Sequence, residues 1–283
     1  MIFHCESIYF APGLYFAAGQ ALFNGDRIDG TGVGCNRELA QVRCRSEIDE
    51  GIALRLASQA VRSQLARLPG IGIAAAAAIP DAVVRARAEA WERLAVHRWW
   101  LGRAPKKPDP MAQTCIEQCL HRWKKNSDSG VHFLNLTINT DYPCYLACAE
   151  NANHKTRVFG VAADRDHDTA VIAAAREMIQ MEMGLEIILH RQKHGREITR
   201  FERCVMDRAL GLHTVGDALF KCDSKSSISP SSISPLEGYT SLDSRVSTLR
   251  DKAPSVVAVM LVTSASTPSL QACTEPWGKW SPY

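Results

Sequence analysis

Three segments of the chain share one pattern, and this pattern constrains the fold more than any other feature of the sequence. Residues 30–50, 72–92 and 160–180 align without a gap. Four columns match: glycine (Gly30, Gly72, Gly160), alanine (Ala40, Ala82, Ala170), glutamate (Glu47, Glu89, Glu177), and a residue with a side-chain oxygen three positions later (Glu50, Glu92, Gln180). Such self-similarity indicates a repeated structural unit. Because the copies are unevenly spaced, they do not predict a solenoid.

Each copy is typical of a strand or glycine turn, then a loop, then a helix. Residues that favour helix starts stand in the loops, namely Asn36, the pair Pro80-Asp81, and Asp166 or Asp168. Residues three apart on a helix are surface neighbours, so each Glu-x-x-Glu or Glu-x-x-Gln presents two oxygens in one direction. Three such helices packed together predict up to six oxygens at a shared cavity.

Oxygen ligands of this kind suit a hard cation. Mg²⁺ prefers oxygens and usually keeps water or phosphate oxygens among its ligands. Arg93 directly follows the second acidic pair, and the planar fork of an arginine suits a phosphate group. The pattern therefore predicts a Mg-nucleotide site.

The alternative for each acidic pair is an ordinary solvated helix face. For the first copy alone, in the polar run RCRSEIDEG, that alternative is preferred. In the second copy, Glu89 and Glu92 lie beside an apolar stripe and are expected to be partly buried at most. The third run, TAVIAAAREMIQMEMGL, is apolar on nearly every side, which is typical of a buried helix. Glu177 and Gln180 are therefore expected inside the protein, where a carboxylate needs a partner or a metal ion.

Two cysteine pairs have spacings that could indicate a zinc site: Cys115 with Cys119, and Cys144 with Cys148. The three-residue gap departs from the commoner Cys-x-x-Cys knuckle. YPCYLACAE is typical of a strand with both of its cysteines on one face, and AQTCIEQCLHRW is typical of a helix. Because a free cysteine packs as a small hydrophobe, buried thiols are preferred over zinc.

Charge and hydropathy argue against several classes of protein. A net charge of +3 is too small to indicate a nucleic-acid partner. The most apolar run, IGIAAAAAIP, is too short to span a bilayer, and the N-terminal residues are not typical of a signal peptide. A cytoplasmic protein with reduced cysteines is therefore expected.

The runs GTGVGCNRELAQVRCRSEIDE, ARAEAWERLAVHRWW and FLNLTINTDYPCYLACAENANHKTRVFGVAADRDHDTAVIAAAREMIQME together resemble the YcaO family. The similarity covers about residues 22–186, and a closer likeness is to the branch found with trifolitoxin biosynthesis and TfuA-type partners. It implies an α+β, YcaO-type fold with mixed sheets, and with helices carrying ExxE and ExxQ motifs around ATP and Mg²⁺. Matched residue by residue, it places Glu47, Glu50, Glu89, Glu92, Glu177 and Gln180 at the metal and the nucleotide, and Arg93 at the nucleotide. It assigns no catalytic residue.

The resemblance also implies an activity on ribosomally made peptides. In the family, a Cys, Ser or Thr side chain of the peptide, or an external sulfide, adds to a backbone amide. The resulting oxyanion attacks the γ-phosphate of ATP, and loss of phosphate leaves an azoline or a thioamide. Azoline formation is the first expectation, and the alternatives are thioamide formation with a TfuA-like partner and a non-catalytic YcaO-like scaffold subunit. The expected partners are the precursor peptide, a leader-binding or TfuA-like protein, and a second copy of the chain in a homodimer.

The chain departs from the family pattern at several positions. Gly51 stands where an arginine is frequent, and Arg43 and Arg85, four residues before the anchoring glutamates, stand where small residues are common. The last residues, TEPWGKWSPY, lack the proline-rich PxPxP tail that is frequent among azoline-forming members. These departures keep the scaffold alternative open.

Composition divides the chain into three parts. Residues 1–220 are expected to form the core of the YcaO-like domain. The serine- and proline-rich segment 221–241 is expected to be flexible, since it has little to bury. Residues 242–283, with the apolar run SVVAVMLVTSAS, are expected to return a strand to the domain, as its C-terminal and degenerate part.

Overall fold

The computed structural model of the chain describes residues 2–56, 71–76, 78–100, 109–110, 112–114, 130–151, 153–220, 236–240 and 256–263. The chain divides into two compact units. The first consists of residues 1–8, 12–97 and 229–273, and the second of residues 9–11, 98–228 and 274–283.

The strands of the described residues form three sheets of three strands each. The first sheet has the order β1-β2-β3 (Ile2–Ile8, Ala11–Phe23, Asp26–Gly34), the second β4-β9-β8 (Ile71–Ala76, Val256–Thr263, Leu236–Thr240), and the third β5-β6-β7 (Gly130–Asn135, Cys144–Asn151, Thr156–Ala163). Every strand pair with a defined register is antiparallel. Between β2 and β3, Asn24 and Gly25 both have positive φ, 51° and 86°, which is the geometry of a tight two-residue hairpin.

The long helices are α1 (Arg37–Leu56), α2 (Ile79–Trp100), α3 (His167–Lys193) and α4 (Arg200–Phe220). Asn36 caps α1, because its Oδ1 accepts the backbone N–H of Leu39 at 2.8 Å. Asp166 caps α3 by accepting the N–H of Thr169 at 2.8 Å. Caps of this type satisfy amides that a helix leaves without partners, and both confirm predicted helix starts. Helices and sheets together make an α+β fold, as predicted, but the expected mixed sheets are not found, because all strand pairs with a defined register in the described residues are antiparallel.

The sequence repeat corresponds to a repeated structural unit, in which an edge strand of one sheet is followed by a helix that crosses it. The crossing is so close that a Cβ added at the repeat's glycine would collide with the helix. In each copy the added Cβ would approach the carbonyl oxygen of the helix residue three positions before the anchoring glutamate. The added Cβ would lie 2.6 Å from this oxygen at Gly30 (Cys44 O), 1.8 Å at Gly72 (Ala86 O) and 2.5 Å at Gly160 (Ala174 O). The glycine column is therefore required by the same strand–helix contact in all three copies.

The second copy completes its sheet from a distant part of the chain. β4 pairs with β9 from Ile71 opposite Leu261 to Ala76 opposite Val256, and β9 pairs in turn with β8. In the other two sheets, the strands beside the edge strand come immediately before it in the chain. β8 and β9 therefore occupy the places that β1 and β2 occupy beside β3.

The first unit buries one face of α1. A contiguous apolar core joins this helix to β2, β3 and β4, and consists of Ala17, Ile28, Ala40, Cys44, Ile48, Ile52, Ala53, Ile73 and Ala75. Cys44, Ile48 and Ile52 recur every four residues, which is the spacing of a single apolar stripe on a helix.

The second unit packs α3 against β6 and β7. Cys144 and Cys148 are buried on β6, which agrees with the interpretation of these cysteines as packed thiols. Trp99, at the end of α2, packs edge-on against Phe159 of β7, with 5.6 Å between the ring centroids.

Two strands predicted from the sequence, in YPCYLACAE and SVVAVMLVTSAS, are confirmed as β6 and β9. Segment 221–241 differs from expectation at its end, where residues 236–240 form β8 because their backbone pairs with β9. Cys115, Cys119 and residues 264–283 lie outside the described residues. Of the helices that the structure describes, none combines the length and the apolar composition needed to cross a membrane.

Candidate functional site

The first glutamate of each motif is held by the strand of its own copy. The residue after the glycine donates its backbone N–H to Oε2 of the glutamate: Thr31 to Glu47 at 2.7 Å, Ile73 to Glu89 at 2.7 Å, and Val161 to Glu177 at 3.0 Å. The donor stands sixteen residues before the glutamate in each copy. Because β3, β4 and β7 are edge strands, the carboxylate takes an amide that a further strand would otherwise take.

These amides orient the carboxylates. A hydrogen bond from a backbone N–H to an ionised carboxylate is strong, and it uses one of the roughly four acceptor positions that a carboxylate offers. The sequence identifies the glutamates and glycines but not these donors. The repeated glycines could have predicted these donors. A strand that lies this close to a helix brings the backbone amide of the residue after the glycine within reach of the helix side chains.

Glu50, the second glutamate of the first motif, reaches across to the second copy. Its Oε1 accepts the backbone N–H of Ala75 on β4 at 2.9 Å. Ile73, whose amide holds Glu89, lies two residues earlier on the same strand. Groups two residues apart on a strand have the same orientation, so Glu50 and Glu89 line one edge of β4.

Glu47, Glu50 and Glu89 form a group of interacting charges, here named the acidic cluster. The pKa of Glu50 is raised to about 8, mainly by burial and also by the charges of Glu89 and Glu47, while the Ala75 amide and Arg85 oppose the rise. Carboxylates that share a site cannot all ionise easily. A cation bound at the acidic cluster would remove this repulsion.

Glu89 also forms an ion pair within its own helix. Its Oε1 lies 2.5 Å from Nη2 of Arg93, one turn later, and the side chains are 25% and 36% exposed respectively. Burial raises the pKa of Glu89, whereas Arg93 and the amide of Ile73 lower it. Glu92 is half-buried on the same helix. Glu89 and Glu92 are thus partly buried, as predicted.

The prediction that Glu177 and Gln180 lie inside the protein is wrong, because Glu177 is exposed and Gln180 is half-buried. The buried residues of α3 form a stripe that leaves Glu177 out: Ala170, Val171, Ala174, Ala175, Met178, Ile179, Met183, Leu185 and Ile188. The run looks apolar on nearly every side because Ile172, Ala173 and Met181, which are only half-buried, lie outside this stripe. The acidic cluster, in which Glu47 is exposed and Glu50 and Glu89 are half-buried, belongs to the first unit, whereas Glu177 and Gln180 belong to the second.

The acidic cluster fits Mg²⁺ better than a metal enclosed by protein ligands. Among the described residues, no three His, Cys, Asp or Glu side chains are close enough together to hold a metal ion. Mg²⁺ does not need such a cage, since it usually takes one or two carboxylates and completes its shell with water and phosphate oxygens. Hard oxygen donors, oriented by backbone amides and repelling each other, meet that requirement.

Comparison with known proteins agrees with the fold. A family model described as YcaO cyclodehydratase, ATP- and Mg²⁺-binding, matches residues 54–272. YcaO from Methanopyrus kandleri bound with AMPPCP and Mg²⁺ has a TM-score of 0.51 at 12% identity, covering 93% of this chain and 85% of that chain. The E. coli microcin synthetase McbBCD complex with pro-MccB17 bound has a TM-score of 0.57 at 11% identity, covering 93% and 87%. Comparison with curated proteins gives no match.

The family model and the solved structures match different parts of the chain: the family model covers residues 54–272, and each of the two structures covers 93% of the chain. The matched range contains the second and third motifs but begins after the first, and the structure relates the first motif to the others through the same glycine and amide contacts. At this level of identity, the likeness to the solved structures establishes the fold. The match over well over half of the chain establishes the family: this chain belongs to the YcaO family of ATP- and Mg²⁺-binding cyclodehydratases.

Proposed function

We propose that the chain binds Mg-ATP through its repeated acidic motifs and activates backbone amides of a ribosomally made precursor peptide, closing azoline rings. The observation that carries this proposal is the contact between a strand amide and the first glutamate of the motif, which recurs in all three copies. A repeated, oriented carboxylate on a family fold that binds ATP and Mg²⁺ is best explained as a metal ligand.

Each motif residue has a role in this proposal. The residues that bind the metal ion and the nucleotide are Glu47, Glu50, Glu89, Glu92, Glu177 and Gln180. Glu177 and Gln180 are included because they occupy the same positions in the third copy as the glutamates of the first two. Arg93 lowers the pKa of Glu89 against the effect of burial through their ion pair and supplies positive charge for the nucleotide. The strand amides hold the carboxylates in place before the nucleotide arrives, which reduces the cost of ordering them on binding.

Bound Mg-ATP supplies a phosphoryl group that turns the amide oxygen from a poor leaving group into a phosphate. The sulfur or oxygen of a peptide side chain forms a bond to the amide carbon, and the amide oxygen departs as part of inorganic phosphate. The products are the azoline peptide, ADP and phosphate. What the chain contributes is the position of the nucleotide and the neutralisation of its charge.

The two structural neighbours support the choice of partners. One contains AMPPCP and Mg²⁺, and the other is a complex of several proteins with pro-MccB17 bound. We therefore propose a precursor peptide as the substrate, with a separate protein that presents the peptide or supplies sulfur.

The test is Mg²⁺-dependent binding of a non-hydrolysable ATP analogue, followed by ADP release with a candidate precursor peptide. Glu89→Gln and Glu177→Ala are expected to weaken nucleotide binding at least tenfold. Glu38→Gln, an exposed glutamate in the first turn of α1, is the matched control and should bind as the wild type does. Failure of the wild type to bind nucleotide would refute the proposal.

The peptide product separates the remaining alternatives. Loss of one water per modified residue indicates an azoline, whereas exchange of one oxygen for sulfur indicates a thioamide. Nucleotide binding without peptide-stimulated ADP release would favour the scaffold subunit.

A further inference from the structure

Two arginines occupy equivalent places in the first and second copies of the repeat. Arg43 and Arg85 each stand four residues before the first glutamate of the motif. Arg43 Nη1 donates to the carbonyl oxygen of Val33 at 2.5 Å, and Arg85 Nη1 donates to that of Ala75 at 3.2 Å. In both cases the acceptor lies ten residues earlier, on the edge strand of the same copy. The same side chain is thus anchored in the same way twice.

The charge of Arg85 acts on the nearby Glu50, whose pKa it lowers, but within the described part of the chain neither guanidinium is held in a direct ion pair. Burial lowers the pKa of Arg43, and the positive charge of Arg85 lowers it further, so the two guanidinium groups are near enough to repel each other. Each arginine has five N–H donors, and the strand carbonyl accepts only one of them. An anion bound by both guanidinium groups would relieve this repulsion and accept charge-assisted hydrogen bonds from their unused donors.

The arginines lie directly beside the acidic cluster. The N–H of Ala75 is bound by Glu50 and its C=O by Arg85, and in an antiparallel strand these two groups of one residue point to the same edge. On β3, Thr31 holds Glu47 and Val33 holds Arg43, two residues or about 7 Å further along. Carboxylates and guanidinium groups therefore follow one another along both edge strands.

We propose that Arg43 and Arg85 clamp the polyphosphate chain of the nucleotide whose metal ion the neighbouring acidic cluster binds. This inference rests on the proposed function and adds the residues that contact phosphate. A metal ion at the carboxylates and phosphate oxygens at the arginines would place opposite charges next to each other along β3 and β4. The planar fork of an arginine can give two parallel hydrogen bonds to one phosphate group.

The experiment compares the wild type with the double variant Arg43→Gln/Arg85→Gln by titration calorimetry with a non-hydrolysable ATP analogue at saturating Mg²⁺. The control is Arg27→Gln, which removes an exposed arginine paired with Asp29 elsewhere in the first unit. The double variant is expected to lose at least about tenfold in affinity, with a weaker dependence on salt. Its melting temperature and circular dichroism are recorded to show that it is folded. Affinity within threefold of the control would overturn the inference.

A second titration, with inorganic tripolyphosphate and Mg²⁺, separates this inference from the proposed function. If the wild type binds tripolyphosphate and the double variant does not, the clamp is supported. This conclusion holds even if the ATP analogue does not bind to the wild type, a result that would refute the proposed function alone. If the wild type and the double variant bind the ATP analogue equally well, the proposed function stands and the clamp is refuted. Because tripolyphosphate has no base or sugar, its loss of binding cannot arise from a disturbed nucleoside pocket.

Discussion

Glu50 Oε1 accepts a hydrogen bond from the backbone N–H of Ala75 at 2.9 Å, and this bond joins the helix of the first copy to the strand of the second. It brings a second carboxylate to the strand edge that already holds Glu89. The pKa of Glu50 rises from an ordinary value near 4.5 to about 8, chiefly through burial. The stability of the metal-free protein should therefore depend on pH through this residue.

The first prediction concerns Glu50→Gln. Between about pH 4.5 and pH 8 the unfolded wild type releases the Glu50 proton while the folded protein keeps it, so wild-type stability falls as pH rises. Glutamine cannot titrate, and its amide oxygen can still accept from Ala75. The variant should match the wild type near pH 4.5 and be more stable at pH 8, by roughly 1–3 kcal/mol after allowance for solvent screening. Urea unfolding without Mg²⁺ at several pH values measures the difference.

Added Mg²⁺ provides the control for this prediction. A metal ligand must be deprotonated, so bound Mg²⁺ should stabilise the wild type increasingly as pH rises. Glu50→Gln should gain less from Mg²⁺ over the same range. Parallel pH profiles for the two proteins would show that Glu50 titrates normally.

The second prediction concerns the strand–helix crossings. A Cβ at Gly72 would lie 1.8 Å from the carbonyl oxygen of Ala86 and 2.5 Å from the amide nitrogen of Ala90. Backbone atoms of a packed helix cannot move aside easily, so Gly72→Ala should displace α2 from β4 and lengthen the bond between Ile73 and Glu89. Overpacking of this kind costs about 1–3 kcal/mol or more. Denaturant unfolding reports the loss of stability, and Mg-nucleotide titration reports the displaced glutamate.

Gly184→Ala is the matched control for this prediction. Gly184 lies within α3, and a Cβ there would meet no atom within 4 Å. Alanine in a helix interior is favoured over glycine by about 0.5–1 kcal/mol, so this variant should be slightly stabilised. Equal effects of the two substitutions would argue that the crossing at Gly72 is not tightly packed.

The repeat shows how far the sequence predicts this fold. Gly72 and Glu89 are seventeen residues apart, and both ends of the contact lie in one continuous segment, so a scan of the sequence detects it. The partner strands of β4 could not be found in this way, because β8 and β9 come from the far end of the chain. Pairing over such a distance leaves no local pattern.

Burial was predicted less well than the motifs. Glu177 is expected inside the protein because the run around it is apolar on nearly every side, yet the buried residues of α3 form one stripe that leaves Glu177 exposed. Glu50 was expected to be solvated, yet it is half-buried because β4 approaches it from another copy. Both differences depend on tertiary packing, which the composition of one helix does not determine.

The third prediction tests the interpretation of the cysteines as packed thiols. Cys44, Cys144 and Cys148 are buried, whereas Cys35 and Cys204 are exposed. Burial raises the pKa of Cys44 to about 12 and raises that of Cys148 strongly, and a thiol reacts only as its thiolate. In the folded protein, a thiol reagent should modify the two exposed cysteines much faster than the three buried ones. Peptide mass spectrometry after timed labelling measures each rate.

Unfolding in urea is the control for the labelling experiment, since all five cysteines should then react at similar rates. Metal analysis of the purified protein should find no stoichiometric zinc at Cys144 and Cys148. Rapid labelling of Cys148 in the folded protein would contradict its place in the core of the third sheet.

The fourth prediction separates two roles of Arg93. Its Nη2 lies 2.5 Å from Glu89 Oε1 and lowers the pKa of that glutamate against the effect of burial. In Arg93→Met the pKa of Glu89 should therefore rise, and Mg²⁺ binding near pH 7 should weaken severalfold because the ligand must first lose its proton. The loss should diminish as pH is raised toward 9, whereas Arg27→Met should behave as the wild type at every pH. Calorimetric titration with Mg²⁺ across this range provides the measurement. A weakening of equal size at all pH values, seen only with the ATP analogue present, would instead assign Arg93 to direct contact with phosphate, since such a contact does not depend on the proton of Glu89.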